Sequence, residues 1–103
     1  GRVSIGENTI IKPKALIRGP TIIGDNSTIE KDVYIGPYTS IGNNTKIDRG
    51  EIENSIIMDN CHIDVDDRIT DSLIGPNSTI TSNKNNKPKA RRFLIGEQSQ
   101  ITL

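Results

Sequence analysis

Few residues in this 103-residue chain are equipped for chemistry, and they are thinly spread. His62 is the sole histidine, so imidazole general-base chemistry near neutral pH would have to run through it. Cys61, next to it, is the sole thiol. Asp64, Asp66 and Asp67 form an acidic cluster near Asp48 and Asp71, and alternate carboxylates along one edge could hold a hard cation loosely. Lys84, Lys87, Lys89, Arg91 and Arg92 fall within nine residues without an acid, which suits either a phosphate or carboxylate contact or a plain solvated loop. Gly6, Gly24, Gly36, Gly42, Gly75 and Gly96 are single glycines, each following an isoleucine. A phosphate-cradling loop needs clustered glycines opening a helix, and nothing here has helical periodicity.

What must position these residues is a repeat. The run Ile35-Gly36-Pro37-Tyr38-Thr39-Ser40-Ile41-Gly42-Asn43-Asn44-Thr45-Lys46-Ile47 speaks the phrase Ile-Gly-x-x-Thr-x twice and begins it again. A period of six with one large aliphatic per period is neither helical nor simple strand alternation, and it predicts short parallel strands stacked as the sides of a β-helix. Ile5, Ile11, Ile17, Ile23, Ile29, Ile35, Ile41 and Ile47 stand six apart, and Ile52, Ile57, Ile63, Ile69, Ile74 and Ile80 follow at five or six. Three sides per coil then group the heads as Ile5, Ile11, Ile17; Ile23, Ile29, Ile35; Ile41, Ile47, Ile52; Ile57, Ile63, Ile69; and Ile74, Ile80, Ile95, with a partial coil from Ile101. The whole chain, residues 1–103, is expected to be one all-β domain of five to six coils.

The grouping aligns like residues. Asn8, Asn26, Asn44, Asn60 and Asn77 form a column of the residue that, after glycine, best accepts a left-handed corner, and their amides could bond between coils. Thr9, Ser27, Thr45, Cys61 and Ser78 form an inward column of small residues, which makes Cys61 a packing residue rather than a nucleophile. Thr21, Thr39, Ser55, Ser72 and Ser99 make a second small column. His62 falls in an outward column with Ile10, Thr28, Lys46 and Thr79, an exposed ladder position. Asp67 falls in an inward column after Ala15, Val33 and Gly50, which predicts a distorted corner or pairing with Arg49 or Arg68. The pattern breaks between Thr81 and Leu94, so this stretch should leave the coil as an external loop.

Other outward positions speak to partners. Ser4, Ile22, Ser40, Ile56 and Leu73 precede the first heads, so Ile22, Ile56 and Leu73 are expected to form an apolar strip and a candidate interface. A second outward column reads Leu16, Tyr34, Glu51, Arg68 and Leu94. Thirteen basic and thirteen acidic residues give no net charge, which offers nothing to a nucleic acid or membrane surface. A single cysteine excludes an internal disulfide and fits a reducing compartment. With no apolar run of spanning length and no signal segment at the start, a cytoplasmic location is expected.

The repeated phrase, with small residues four after the aliphatic heads, resembles the hexapeptide-repeat family. That resemblance implies a single-stranded left-handed parallel β-helix, its hand coming from the family and not from periodicity. The runs Arg18-Gly19-Pro20-Thr21-Ile22-Ile23-Gly24, Tyr34-Ile35-Gly36-Pro37-Tyr38-Thr39-Ser40-Ile41-Gly42, Glu53-Asn54-Ser55-Ile56-Ile57, Asp71-Ser72-Leu73-Ile74-Gly75 and Leu94-Ile95-Gly96-Glu97-Gln98-Ser99-Gln100-Ile101 resemble the C-terminal region of long-form glucose-1-phosphate thymidylyltransferases and related sugar-phosphate nucleotidyltransferases. There an N-terminal domain joins a nucleoside triphosphate to a sugar 1-phosphate with Mg²⁺. None of that domain's motifs stands in this chain, so the resemblance implies a C-terminal fragment with no catalytic, cofactor-binding or metal residue of its own. It implies a role in homo-oligomer assembly, or in bracing or regulating the catalytic domain. The alternative that the hexapeptide resemblance brings is an acyltransferase, with His62 as base. A γ-type carbonic anhydrase would need three histidines around zinc, and there is one.

Overall fold

The computed structural model describes residues 1–82 in full and, beyond them, the backbone of three short strands. Lys84, Lys87, Lys89, Arg92, Gly96 and Ser99, singled out above, lie outside the described residues. In chain order the strands are β1 (Val3–Ile5), β2 (Ile10–Ile11) and β3 (Leu16–Ile17), then β4 (Thr21–Ile23), β5 (Thr28–Ile29) and β6 (Tyr34–Ile35). Next come β7 (Thr39–Ile41), β8 (Lys46–Glu53), β9 (Ile56–Ile57) and β10 (His62–Thr70). The last are β11 (Leu73–Ile74), β12 (Thr79–Thr81), β13 (Ala90–Arg91), β14 (Leu94–Ile95) and β15 (Gln100–Thr102). No helix occurs among the described residues.

These strands stack in parallel as a three-sided solenoid. One side is the sheet β1-β4-β7-β9-β11-β14. The second runs β2-β5-β8-β10-β12-β15, and the third joins β3 and β6 to the far halves of β8 and β10 and then to β13. The isoleucine heads superpose as the spacing predicts: Ile5, Ile23, Ile41, Ile57 and Ile74 are successive partners on the first side, and Ile11, Ile29, Ile47, Ile63 and Ile80 on the second. From Ile23 to Ile80 every head is at most 1% exposed. Ile5, stacked on one side only, is 46% exposed.

The last coil corrects the reading. Ile95 pairs with Ile74 and Ile101 with Ile80, so Ile95 opens a sixth coil instead of closing the fifth. Leu94 accordingly pairs with Leu73, and the column Leu16, Tyr34, Glu51, Arg68 ends at Ala90. The interruption does not run from 81 to 94, because Thr81 belongs to β12 and Ala90–Arg91 forms the fifth coil's third side; residues 83–89, where a loop is expected, lie outside the described residues. A ladder asks only for backbone N–H and C=O groups, so a strand can form where the sequence shows no aliphatic head.

The corners are where a stacked chain risks unpaired backbone. Asn8, Asn26, Asn44, Asn60 and Asn77 all take φ between 54° and 63°, as their column predicts. From Asn26 onward their backbone N–H groups bond the preceding coil, for example Asn44 to the Asp25 carbonyl at 2.9 Å. The side-chain ladder at this corner, however, belongs to the residue before each asparagine. Asp25 Oδ1 accepts from the Glu7 N–H, Asn43 Oδ1 from that of Asp25, and Asp59 Oδ1 from that of Asn43, at 2.7–2.8 Å. Those oxygens occupy the space beside the glycine column: a Cβ on Gly24 would also come within 2.9 Å of the Gly42 carbonyl carbon.

One step further in, the small column makes a second ladder. The Ser27 hydroxyl donates to the Gly42 carbonyl at 2.8 Å and accepts the Thr45 N–H at 3.1 Å. Thr45 Oγ1 donates to the Met58 carbonyl and accepts the Cys61 N–H, at 3.0 and 3.2 Å. Cys61 keeps the pattern with its thiol on the Gly75 carbonyl. Thr45→Val, nearly isosteric, should therefore leave the buried Cys61 N–H and the partly buried Met58 carbonyl short of a partner and cost about 1–3 kcal/mol, whereas Thr45→Ser should cost less. Urea denaturation followed by circular dichroism checks both.

Candidate functional site

Period-two alternation on the first side sends each isoleucine head inward and the preceding residue outward. Ser4, Ile22, Ser40, Ile56 and Leu73 are consecutive outward partners, as the sequence grouping predicts. Ile22, Ile56 and Leu73 are 60%, 50% and 39% exposed, large values for aliphatics on regular strands. No charged side chain belongs to this outward row, and Met58 extends the apolar area at one edge. Ser40 interrupts the strip. It borders two concavities, one of about 220 Å³ shared with Pro20, Ile22, Tyr38 and Ile56, the other of about 370 Å³ shared with Ile56, Met58 and Pro76.

Tyr38 is a residue that sequence reasoning passed over. It is 70% exposed at the edge of this face, with φ at 60°. The same corner in the next two coils carries Asn54 and Asp71, both also left-handed, and that column could have exposed the mismatch. An aromatic side chain at positive φ carries a cost of order 1 kcal/mol. Nothing in the core repays it, since the ring lies in solvent beside Ile22 and Ile56.

The other candidates resolve into pairs. His62 Nε2 meets the Asp48 carboxylate, and Lys46 Nζ lies 3.5 Å from the same group. Asp48 reaches them through a bulge: pairing passes from Ile47 with Ile63 directly to Arg49 with Asp64, leaving Asp48 without an opposite residue. Arg49 pairs with Asp64, Arg68 with Glu51 and Glu53, and Asn54 donates to Asp71. Among the described residues no three His, Cys, Asp or Glu side chains converge as a metal centre. Burial pushes the Cys61 thiol up, in keeping with a packing residue.

The corner at Asp67 is distorted, as expected, though the inward residue there is different. Three residues of β10, Val65, Asp66 and Asp67, oppose the single Gly50 of β8. Val65 is fully buried, and a Cβ on Gly50, at φ 127°, would approach its Cγ2 to 2.7 Å. The extra residues bring an aliphatic inward and leave Asp67 partly buried, with its Oδ1 shielded from solvent.

A parallel solenoid with these repeats defines the class, and residues 2–30 match the bacterial transferase hexapeptide model. Residues 17–102 match the GMPPB C-terminal domain model, and the chain belongs to that family. It is similar to the low-salt glycan biosynthesis nucleotidyltransferase Agl11 of Haloferax volcanii, 40% identical over 52 residues. The match covers 50% of this chain and 15% of that relative. The domain is thus of the kind attached to sugar-phosphate nucleotidyltransferases. No helix among the described residues is long and apolar enough to cross a membrane.

Partial burial tends to raise the Asp48 pKa, but the His62 hydrogen bond and charge, with Lys46 behind, outweigh it and hold the carboxyl below the ordinary aspartate value. A depressed carboxylate stabilises the fold above its unfolded pKa, and that contribution is lost as pH falls through the folded value. Urea midpoints should fall on acidification below about pH 4 more steeply in the wild type than in Asp48→Asn, with little difference in slope above about pH 5.

Proposed function

We propose that this chain is the non-catalytic β-helix of a sugar-1-phosphate nucleotidyltransferase of the glucose-1-phosphate thymidylyltransferase type, working in nucleotide-sugar synthesis in the cytoplasm. Its task is to join subunits or brace the catalytic domain. The single observation that carries this is the uncharged face on which Ile22, Ile56 and Leu73 stand exposed in stacked register, on a domain of nucleotidyltransferase kinship. Mg²⁺ belongs, on this reading, to the catalytic domain: Asp64, Asp48 and Asp71 are engaged with Arg49, with His62 and Lys46, and with Asn54, and among the described residues no three such groups gather around one point. Neither a nucleic acid nor a membrane is a partner.

A second reading, an acyltransferase, is favoured by the His62–Asp48 pair, since a carboxylate on one imidazole nitrogen orients the ring as a general base requires. Against it, His62 occupies a regular ladder position between Lys46 and Thr79.

Light scattering tests the interface. The wild-type chain should associate with rising concentration, and Ile56→Asp with Leu73→Asp should abolish this with the fold intact by circular dichroism; a monomer unchanged by both substitutions counts against self-association. A separate assay tests the chemistry. The longer protein carrying this domain should release pyrophosphate from dTTP and glucose 1-phosphate, with kcat altered less than about twofold by His62→Ala. Acetyl transfer from acetyl-CoA to an amino sugar, lost in His62→Ala, would favour the acyltransferase instead.

A further inference from the structure

We infer that the apolar face is self-complementary, and that its partner is the same face of a second copy running in the opposite direction. The inference rests on reading that face as an interface and adds the partner, the direction and the register. In coil order the outward row reads Ser4, Ile22, Ser40, Ile56 and Leu73, and the backbone register continues to Leu94. It is a bump, a notch and two bumps, with concavities on both flanks of the notch at Ser40.

Two such sheets pack face to face at about 10 Å. If the copies run in the same direction about a two-fold axis, Ile56 meets Ile56 and the two notches face each other empty. With a dyad lying along the strands, between the third and fourth coils, Ile56 of each copy enters the Ser40 notch of the other. Ile22 then lies against Leu73 of the partner subunit, all six strands overlap, and the contact is isologous. Shifting that dyad by one coil leaves Leu73 uncovered in one direction and Ile22 in the other.

The edges agree with this direction. Glu7, Asp25 and Asp59 stand on one edge of the face, at the first, second and fourth levels, with Asn43 and Pro76 at the third and fifth. Reversal brings Asp25 opposite Pro76 and Asp59 opposite Asn43, so neither aspartate meets a carboxylate, and Glu7 falls opposite the sixth coil. On the other edge Tyr38 comes opposite Asn54, a polar partner for its hydroxyl and a use for an exposed aromatic held at positive φ.

The area sets the strength. Six strands at about 4.8 Å give a face about 25 Å tall, and the shortest dimension of the molecule, 20 Å, bounds its width. Each copy therefore contributes about 500 Å², near the lower limit for a specific pair, so association of this domain alone should be weak and concentration-dependent.

Cross-linking tests the arrangement. Chains carrying Ser40→Cys and chains carrying Ile56→Cys, both in a Cys61→Ser background and distinguishable by mass, are mixed at high concentration with a short bis-maleimide. Mixed dimers should exceed either homodimer by about fivefold or more. Predominant Ser40→Cys homodimers overturn the proposal, as does a lack of any cross-link. Ser40→Leu, which fills the notch and keeps every apolar residue, should weaken association at least about tenfold by light scattering with an unchanged melting profile. If Ile56→Asp dissociates the copies but Ser40→Leu does not, the face remains an interface and this register falls. If the wild type stays monomeric at every concentration, the second copy is overturned as partner while the bracing role stands.

Discussion

The structure depends on hydrogen bonding between coils about 4.8 Å apart, and the difficult part is at the corners. On the sides a parallel ladder satisfies the backbone unaided. At a corner the chain turns through a left-handed residue, and its N–H and C=O groups fall outside the sheet ladders and need other partners. Two columns meet that need from opposite directions: the side chains of Asp25, Asn43 and Asp59 reach back from outside, and the hydroxyls of Ser27 and Thr45 reach forward from inside. Because each partner comes from the adjacent coil, these contacts fix the vertical register as well as the turn. The isoleucine stack supplies the burial, and its β-branched side chains fit a narrow interior with little rotamer freedom to lose.

Once the stacking is fixed, little freedom remains, and it lies in two places. One is the outward row on each side, where side chains touch no core residue and can answer to a partner; there the GMPPB C-terminal domain relationship and the exposed aliphatics meet. The other is a corner that has accepted extra residues. At Gly50 and Val65 the coil lengthens locally to keep an aliphatic inside, and a separate bulge one pair earlier, on β8, turns Asp48 toward His62. The only histidine and its carboxylate partner are thus explained by bulge geometry, with Lys46 as a third charged neighbour.

Much of this was legible in the chain because a solenoid is a local structure: each residue's environment depends on residues one coil away, and a period of five or six carries that information directly. The isoleucine and asparagine columns, the buried place of Cys61 and the outward place of Ile22, Ile56 and Leu73 all follow from counting. Counting failed where spacing was irregular. Ile95 was set on the wrong side because a strand without an aliphatic head, Ala90–Arg91, intervenes, and Asp67 was put inside because a bulge of three residues against one does not show in the spacing of Ile63 and Ile69.

The amino-acid sequence by itself determined the three-sided stack and its register, since only side chains repeating at the coil period can superpose. Tertiary structure alone decided which polar column seals the corner, where Asp48 and Val65 point, and that Tyr38 stands in solvent at a left-handed corner beside the apolar strip. Those outcomes turn on backbone dihedrals and on distances of a few tenths of an ångström between neighbouring coils, and residue spacing carries neither.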